Sequence, residues 1–407
     1  MLSATAFKRA TALSFLLFLM ASPCLCQLEQ VPFDSILFNP FGSNTQNFAA
    51  SSCDAYVAKN AADTKIYTTE FCRTNSFGVM RSEYDPITDD LTFKYKTSTA
   101  VPTANQVIIT TDSLLAELTS AWDLKVRDLT TNTQRFQVAI TKPTGLSSYK
   151  LTSTDKYLII FYRVVTSNTA YEYILPISKT NGAKLWTSGM QYTSSYSTNT
   201  GSGTMGDIQM VMDYPGNKFF VAWEWALSNA ISIKKNIIGP NLSNTGTEEP
   251  IELSISPYIV HRLEGLGIVN GNEFVIYTTI LTASSSSITR ILKMWRKNMN
   301  YASQLVSVSY IGTNPSNPHY KGVYVVDTLG GQKIVLVYSQ VTTTAAKVMY
   351  KLFNDDGSSA SSGGNPIVIS QNDIEVNGVV FEGSNLFMIM GPLSGVWYLG
   401  NINFING

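Results

Sequence analysis

Along the second half of the chain a turn signal is followed five times by a run of apolar residues. The segments are Asp155-KYLIIFY-Arg163, Gly216-NKFFVAW-Glu224, Gly271-NEFVIYT-Thr279, Gly331-QKIVLVY-Ser339 and Gly383-SNLFMIM-Gly391. A run of five or six apolar residues bounded by turn residues predicts a short strand covered on both faces. Around each run lie three further candidate strands in constant order. A Gly-containing strand precedes it, an alternating one follows, and a short one comes after a turn rich in Gly, Asn and Asp. In the unit that opens near Met205 the predicted strands are 208–213, 218–226, 230–238 and 250–255. In the unit that opens near His319 they are 323–327, 333–341, 347–353 and 366–370, with Asn354-Asp-Asp-Gly357 as the turn between the last two.

The same pattern read towards the N-terminus gives weaker units. Second strands are then predicted near 64, 114, 156, 218, 273, 333 and 386, at irregular spacings of about 42 to 62 residues that bracket known propeller repeats. The last unit runs out of chain after three strands, and 34–42, Asp34-SILFNPF-Gly42, precedes the first unit with no partner of its own. A ring in which this segment completes the final sheet removes the exposed edges that invite aggregation. The expected fold is therefore an all-β, seven-bladed β-propeller of four-stranded blades, spanning 27–407 and closed by an N-terminal strand. Two β-sandwich domains split near 195–203 are the alternative, and a β-helix fits less well because its coils are shorter and more regular.

Two segments resemble repeats of known propeller families. Ile177-SKTNGAKLW-Thr187 is similar to the strand-turn-strand "TGKxLW" of quinoprotein-type repeats, and Asp213-YPGNKFFVAW-Glu224 is similar to repeats of secreted propellers. One unit carries each of them, and the WD and kelch signatures are absent, so the resemblance implies an architecture and transfers no active site.

The N-terminus reads as an export signal in residues 1–26: a basic stretch ending in Lys8 and Arg9, an apolar run over 12–21, and a short segment of small residues up to Cys26. The run is too short for a membrane span, and no later stretch reaches the eighteen apolar residues a span requires. The C-terminal stretch 386–400 is broken by Gly391, Pro392 and Gly395. The tail after it ends polar, against a lipid-anchor signal. A secreted, extracellular product is expected.

The full chain carries 29 basic and 29 acidic residues. Loss of Lys8 and Arg9 would leave 27 against 29, a balance that argues against nucleic acid or anionic lipid as a partner. Two cysteines remain after residue 26, Cys53 and Cys72. A hairpin turning at Ala62-Asp63 places them opposite one another, which predicts a disulfide across one blade. Asn241-Leu-Ser243 is an acceptor for N-glycosylation in a polar loop.

Chemistry is sparse. There are two histidines, His261 and His319, and no G-x-S-x-G, H-E-x-x-H, phosphate loop or zinc-spaced cysteine set. Both histidines are expected just before the first strands of consecutive units, where, with Glu264 and Lys321, they would form a polar funnel at the channel mouth that binds a ligand or a metal. Solvated loop histidines are the plainer reading. Trp223 and Trp225 fall on one face of a strand with Glu224 opposite, so they could stack on a sugar only if that face is open. No catalytic residue and no cofactor is assigned. The leading expectation is a secreted or cell-surface module that binds a protein or a glycan without turnover. An extracellular hydrolase, lyase or quinoprotein-like oxidoreductase would need carboxylates such as Asp207, Glu264, Asp373 and Glu375 converging in the channel. A structural coat or matrix subunit would self-associate.

Overall fold

The computed structural model describes residues 34–38, 53–59, 65–72, 79–85, 88, 90–97, 106–197, 204–214, 216, 218–227, 230–239, 248–253, 259–284, 287–297, 303–311, 320–341, 346–354, 356–358, 365–367, 374–382, 385–392 and 397–403, some strands by their backbone alone. The described residues contain strands, turns and no helix. They form seven four-stranded antiparallel blades of a β-propeller, so the alternative of two sandwiches does not hold.

Blade I contains Cys53–Lys59, Ile66–Cys72, Val79–Asp85 and Asp90–Thr97. Blade II contains Gln106–Ile109, Leu114–Leu118, Asp123–Asp128 and Thr133–Ala139. Blade III contains Leu146–Ser153, Tyr157–Thr166 and Thr169–Ser178. Its outer position is shared by two short pieces, Met190–Gln191 and Tyr196–Ser197. Blade IV contains Thr204–Tyr214, Lys218–Leu227, Ala230–Ile238 and Glu249–Glu252. Blade V contains Ile259–Val269, Asn272–Ser284, Ser287–Arg296 and Ser303–Ile311. Blade VI contains Tyr320–Thr328, Gly331–Val341, Ala346–Phe353 and Asn365–Ile367. Blade VII contains Ile374–Glu382, Asn385–Pro392 and Trp397–Asn403, with Asp34–Phe38 from the N-terminus on its outer edge. The register of that closure runs from Asp34 opposite Asn401 to Phe38 opposite Trp397. Every second strand begins within two residues of its expected position.

The second strands of blades III to VI carry unbroken apolar runs because each is sandwiched between two neighbouring blades. In blade IV, Phe219, Val221 and Trp223 pack with Ile159, Phe161 and Ile174 of blade III. The alternate residues Phe220 and Ala222 pack with Val275 and Tyr277 of blade V. Blade V then turns Phe274 and Ile276 towards Ile334 and Leu336 of blade VI. Each large side chain buried in this way contributes about 1.5–3 kcal/mol.

Tight turns set the register within blades. Asn270 and Gly271 both have positive φ, 48° and 76°, which is the conformation a two-residue hairpin needs. At Gly182 (φ 75°) a Cβ would lie 2.7 Å from Val138 and 2.8 Å from Phe136, so the turn of the "TGKxLW"-like segment docks directly on blade II. Lys184 of that segment bridges back to Ile177, and buried Trp186 meets Phe219 edge-on at 5.6 Å.

At the end of the ring where the first strands turn into the second, the turns latch successive blades together. Lys179 pairs with Asp112 at 2.8 Å between blades III and II. The backbone nitrogen of Lys156 donates to Asp213 across the blade III–IV boundary. Tyr214 hydrogen-bonds Glu273 across IV–V. The backbone nitrogen of Asn270 donates to Gln332 across V–VI.

Candidate functional site

The seams between blades combine apolar packing with buried polar groups. At the turn-latched end the second strands of blades III to V contribute apolar runs, Leu158–Tyr162, Phe219–Trp223 and Phe274–Tyr277, the last preceded by buried Glu273. Towards the opposite end, where the inner strands begin, the same strands become polar: Arg163 in blade III, Glu224 in blade IV, Thr278 and Thr279 in blade V. Buried polar groups thus lie at both ends of the seams, Arg81, Ser113, Lys179 and Glu273 at the turn-latched end and Glu172, Glu224, Thr278 and Thr279 towards the end where the inner strands begin.

At the end where the inner strands begin, the seam between blades IV and V holds a group of such side chains. Glu224, fully buried, accepts the backbone N–H of Leu263 and a guanidinium N–H of Arg262, both at 2.9 Å. Leu263 lies at a β-bulge, where the pairing with the second strand skips from Leu263 to Gly265. Glu264, the residue skipped, accepts the Thr278 hydroxyl at 2.7 Å on the other face of the blade, since Thr278 alternates with Phe274 and Ile276, which face blade VI. Arg262 stands opposite Thr278 in the ladder and keeps 43% of its side chain exposed.

His261 is placed within the first strand of blade V, not before it, and is 1% exposed. It faces the seam. Its Nδ1 is 3.0 Å from the Thr279 hydroxyl, its ring meets Tyr277 edge-on at 5.9 Å, and its Nε2 has no hydrogen-bond partner among the described residues. Burial lowers its pKa to about 4, and the nearby Glu252 opposes that only in part. Glu252, on the outer strand of blade IV, accepts the Tyr277 hydroxyl at 2.7 Å and the Lys293 ammonium at 3.0 Å. Burial works against its charge, but these two donors outweigh it and hold the carboxyl below its ordinary range. Burial, and then Glu252, push the Tyr277 phenol far above its usual value.

The blade III–IV seam follows the same plan with different groups. Glu172, 3% exposed, accepts from Arg163 and from the Tyr196 hydroxyl, each at 2.6 Å. Trp225 meets Tyr196 edge-on at 4.9 Å and has the Lys234 ammonium 4.2 Å over its ring, while Trp223 is fully buried against Tyr192. The tryptophan face on which a sugar might have stacked is thus closed by blade III, because it is the blade-to-blade contact. Lys234 and Lys235 leave opposite faces of one strand and pair with consecutive carboxylates, Glu248 and Glu249.

Of the expected funnel, the structure brings Glu264 to the inner strand beside Arg262 and turns His261 away into the seam. His319 lies outside the described residues, and Lys321 is described by its backbone only. Asn241 and Asp373 also lie outside them, and the side chains of Asp207 and Glu375 are not described. Cys53 and Cys72 are direct partners in the ladder of blade I. Among the described residues no three His, Cys, Asp or Glu side chains gather as a metal ion would require. Sequence reasoning missed Arg262, Tyr277, Glu252 and Lys293. Their signal was a charge or a phenol within or beside an apolar strand pattern, which gains meaning only when two blades are set side by side.

No protein-family model and no curated protein matches the sequence. Solved structures do resemble it in fold. The polysaccharide lyase Uly1 aligns with a TM-score of 0.50 at 10% identity over 86% of this chain and 89% of its own. A PL25 ulvan lyase bound to -[GlcA(1-4)Rha3S]- aligns with a TM-score of 0.50 at 7% identity, over 84% and 90%. The β-propeller domain of Myceliophteria thermophila Cps50 (Swd1) aligns at 0.42 and 9%, over 86% and 96%. At such identities the likeness is one of architecture, and the chain is similar in fold to β-propellers.

Proposed function

We propose that this protein is a secreted or cell-surface β-propeller that binds a protein or a glycan, without turnover, on the face where its inner strands begin. One observation supports the reading: among the described residues, the groups best suited to acid–base chemistry are committed to holding blades together. His261 is sealed in the IV–V seam, the Tyr277 hydroxyl is given to Glu252, and Glu224 and Glu172 are buried under arginine. A general base must reach a substrate proton within hydrogen-bonding distance, and these side chains are shielded from any substrate by the strands around them. The polar loops and strand ends of that face supply contacts on a rigid frame, as binding scaffolds do. Screening the purified chain against panels of glycans and extracellular proteins tests this. Saturable binding with the ligand recovered unchanged supports it, and a chemically altered ligand overturns it.

The catalytic alternative draws on two structural neighbours that are polysaccharide lyases. A lyase acting on acidic polysaccharide leaves an unsaturated sugar with a new ultraviolet absorbance, so the same incubations decide between turnover and binding. A coat or matrix role would appear instead as self-association in sedimentation. Secretion itself is tested by N-terminal sequencing of the exported product, which is expected to begin at Gln27.

A further inference from the structure

We propose that residues 259–263, at the start of the inner strand of blade V, form an acid-released clasp on blade IV in which His261 takes up the proton. Among the described strands, blades IV and V alone share one continuous sheet, through a parallel bridge between Ile231 and Val260. Two further stitches follow at once. Glu224 of blade IV accepts from the Arg262 guanidinium and from the Leu263 N–H. His261 lies between the bridge and these bonds, sealed inside the seam. Just beyond, the bulge between Leu263 and Gly265 interrupts the pairing with the second strand, so the segment can lift without disturbing the rest of the blade.

The seam has no place for a second N–H on this ring. A neutral imidazole donates through one nitrogen and accepts through the other, whereas an imidazolium donates through both. Nδ1 stands 3.0 Å from the Thr279 hydroxyl, and Nε2 meets no hydrogen-bond partner among the described residues. The charged form would therefore bury an unanswered donor as well as a charge.

The carboxylates on this seam are already engaged. Glu252 holds the Tyr277 hydroxyl on one oxygen and the Lys293 ammonium on the other. Glu249 is paired with Lys235, whose ammonium lies over Trp295 of blade V. Glu224 is held by Arg262 and Leu263. Burial, opposed in part by Glu252 and reinforced by Lys293, brings the folded pKa of His261 down to about 4. A proton bound near pH 5 is thus bound by the lifted segment, with its imidazole in water, and draws the clasp further open. Opening of this short segment leaves the other blades packed, and such local events lie below global unfolding in free energy. The clasp needs no ligand and so does not depend on the binding function.

Amide hydrogen exchange of the full chain, read by mass spectrometry and corrected for the intrinsic effect of pH on exchange, follows the opening of 259–263. A group that titrates at about 4 when closed and at its ordinary 6.5 when open should make opening about thirtyfold more frequent at pH 5 than at pH 7.5. Urea below the unfolding range should leave this exchange unchanged while it accelerates that of Leu114–Leu118 in blade II, whose exposure requires the ring to unfold. His261→Gln should remove the pH response. Lys293→Met releases one oxygen of Glu252 for the imidazolium and should shrink the response, which gives a second reading should His261→Gln fail to fold. Three results would each overturn the clasp: exchange in the parent that ignores pH, an undiminished response in either variant, or acceleration by urea as steep as in blade II.

Discussion

The carboxylate of Glu224, in the second strand of blade IV, lies 2.9 Å from the backbone nitrogen of Leu263 in the first strand of blade V. One blade thereby satisfies a main-chain donor of the next at the point where a bulge interrupts that strand's own ladder. Apolar packing between blades is tolerant of small slips along the axis. A directional bond to a single N–H is not, so this contact fixes the height of blade V against blade IV.

Glu224→Gln keeps an acceptor for the Leu263 N–H and loses the charge facing Arg262. The expected loss of stability is about 1–2 kcal/mol, the range for a charged hydrogen bond at a partly exposed partner. Glu224→Ala leaves the Leu263 N–H without an acceptor and should cost about 2–4 kcal/mol. Urea denaturation of both variants measures the difference. Equal stabilities for the two would show that the backbone contact contributes nothing.

His261 makes the seam sensitive to acid. Its folded pKa is about 4 against an ordinary 6.5, so the unfolded chain binds the proton more readily. Stability is then unaffected above pH 6.5 and falls as the pH drops from 6.5 towards 4, by up to about 3 kcal/mol. The groups around the ring are Glu252 from blade IV and Tyr277, Thr279 and Lys293 from blade V. Glu252 has a lowered pKa, so its stabilisation is complete above its ordinary value of 4.5 and is lost as the pH falls through its folded pKa, while between pH 6.5 and 5 only the histidine responds. His261→Gln retains a hydrogen-bonding group for Thr279 and cannot titrate. Between pH 6.5 and 5 the variant should show a flatter stability profile than the parent in urea melts. Parallel profiles would assign the acid response to other groups.

The architecture was legible because it depends on a local signal repeated along the chain. Runs such as 157–162 and 334–338 are apolar at every position, since both faces meet another blade, and the turn residues between them mark the period. Closure by 34–38 followed from counting strands and asking which one lacked a partner. The site was less legible. Glu224 and Arg262 are 38 residues apart in sequence, and nothing in either neighbourhood signals that they meet. His261 drew attention as a rare residue, but one-residue alternation along a strand decides whether a side chain faces a seam or an opening, and a bulge two residues later resets that alternation.

The ladder of blade I sets Cys53 opposite Cys72. In an oxidising compartment facing cysteines close a disulfide, and a loop of this length restricts the unfolded chain by about 3 kcal/mol. Peptide mapping of the protein, purified under oxidising conditions without reductant, should recover the two cysteines in one linked fragment. Reduction should lower the denaturation midpoint, and the Cys53→Ser, Cys72→Ser double variant should match the reduced protein. A free thiol titre in that oxidised preparation would exclude the bond.

The ring is held shut by five backbone pairs between Asp34–Phe38 and Trp397–Asn401. Blade VII shares no chain continuity with blade I other than through this strand's return from the N-terminus, so its loss would expose an outer edge and loosen the VII–I boundary together. In an antiparallel ladder adjacent residues alternate between pairing across the ladder and facing away, so of Ile36→Pro and Leu37→Pro one removes a ladder donor and the other does not. The first should lower the melting temperature and increase aggregation on heating, while the second changes less. Removal of residues 27–40 should do more than either, because the whole outer edge of blade VII becomes available to other chains. Thermal melts monitored by light scattering separate these outcomes. Unaltered melting in the deletion would mean that the ring closes by other contacts and that the terminal strand is dispensable.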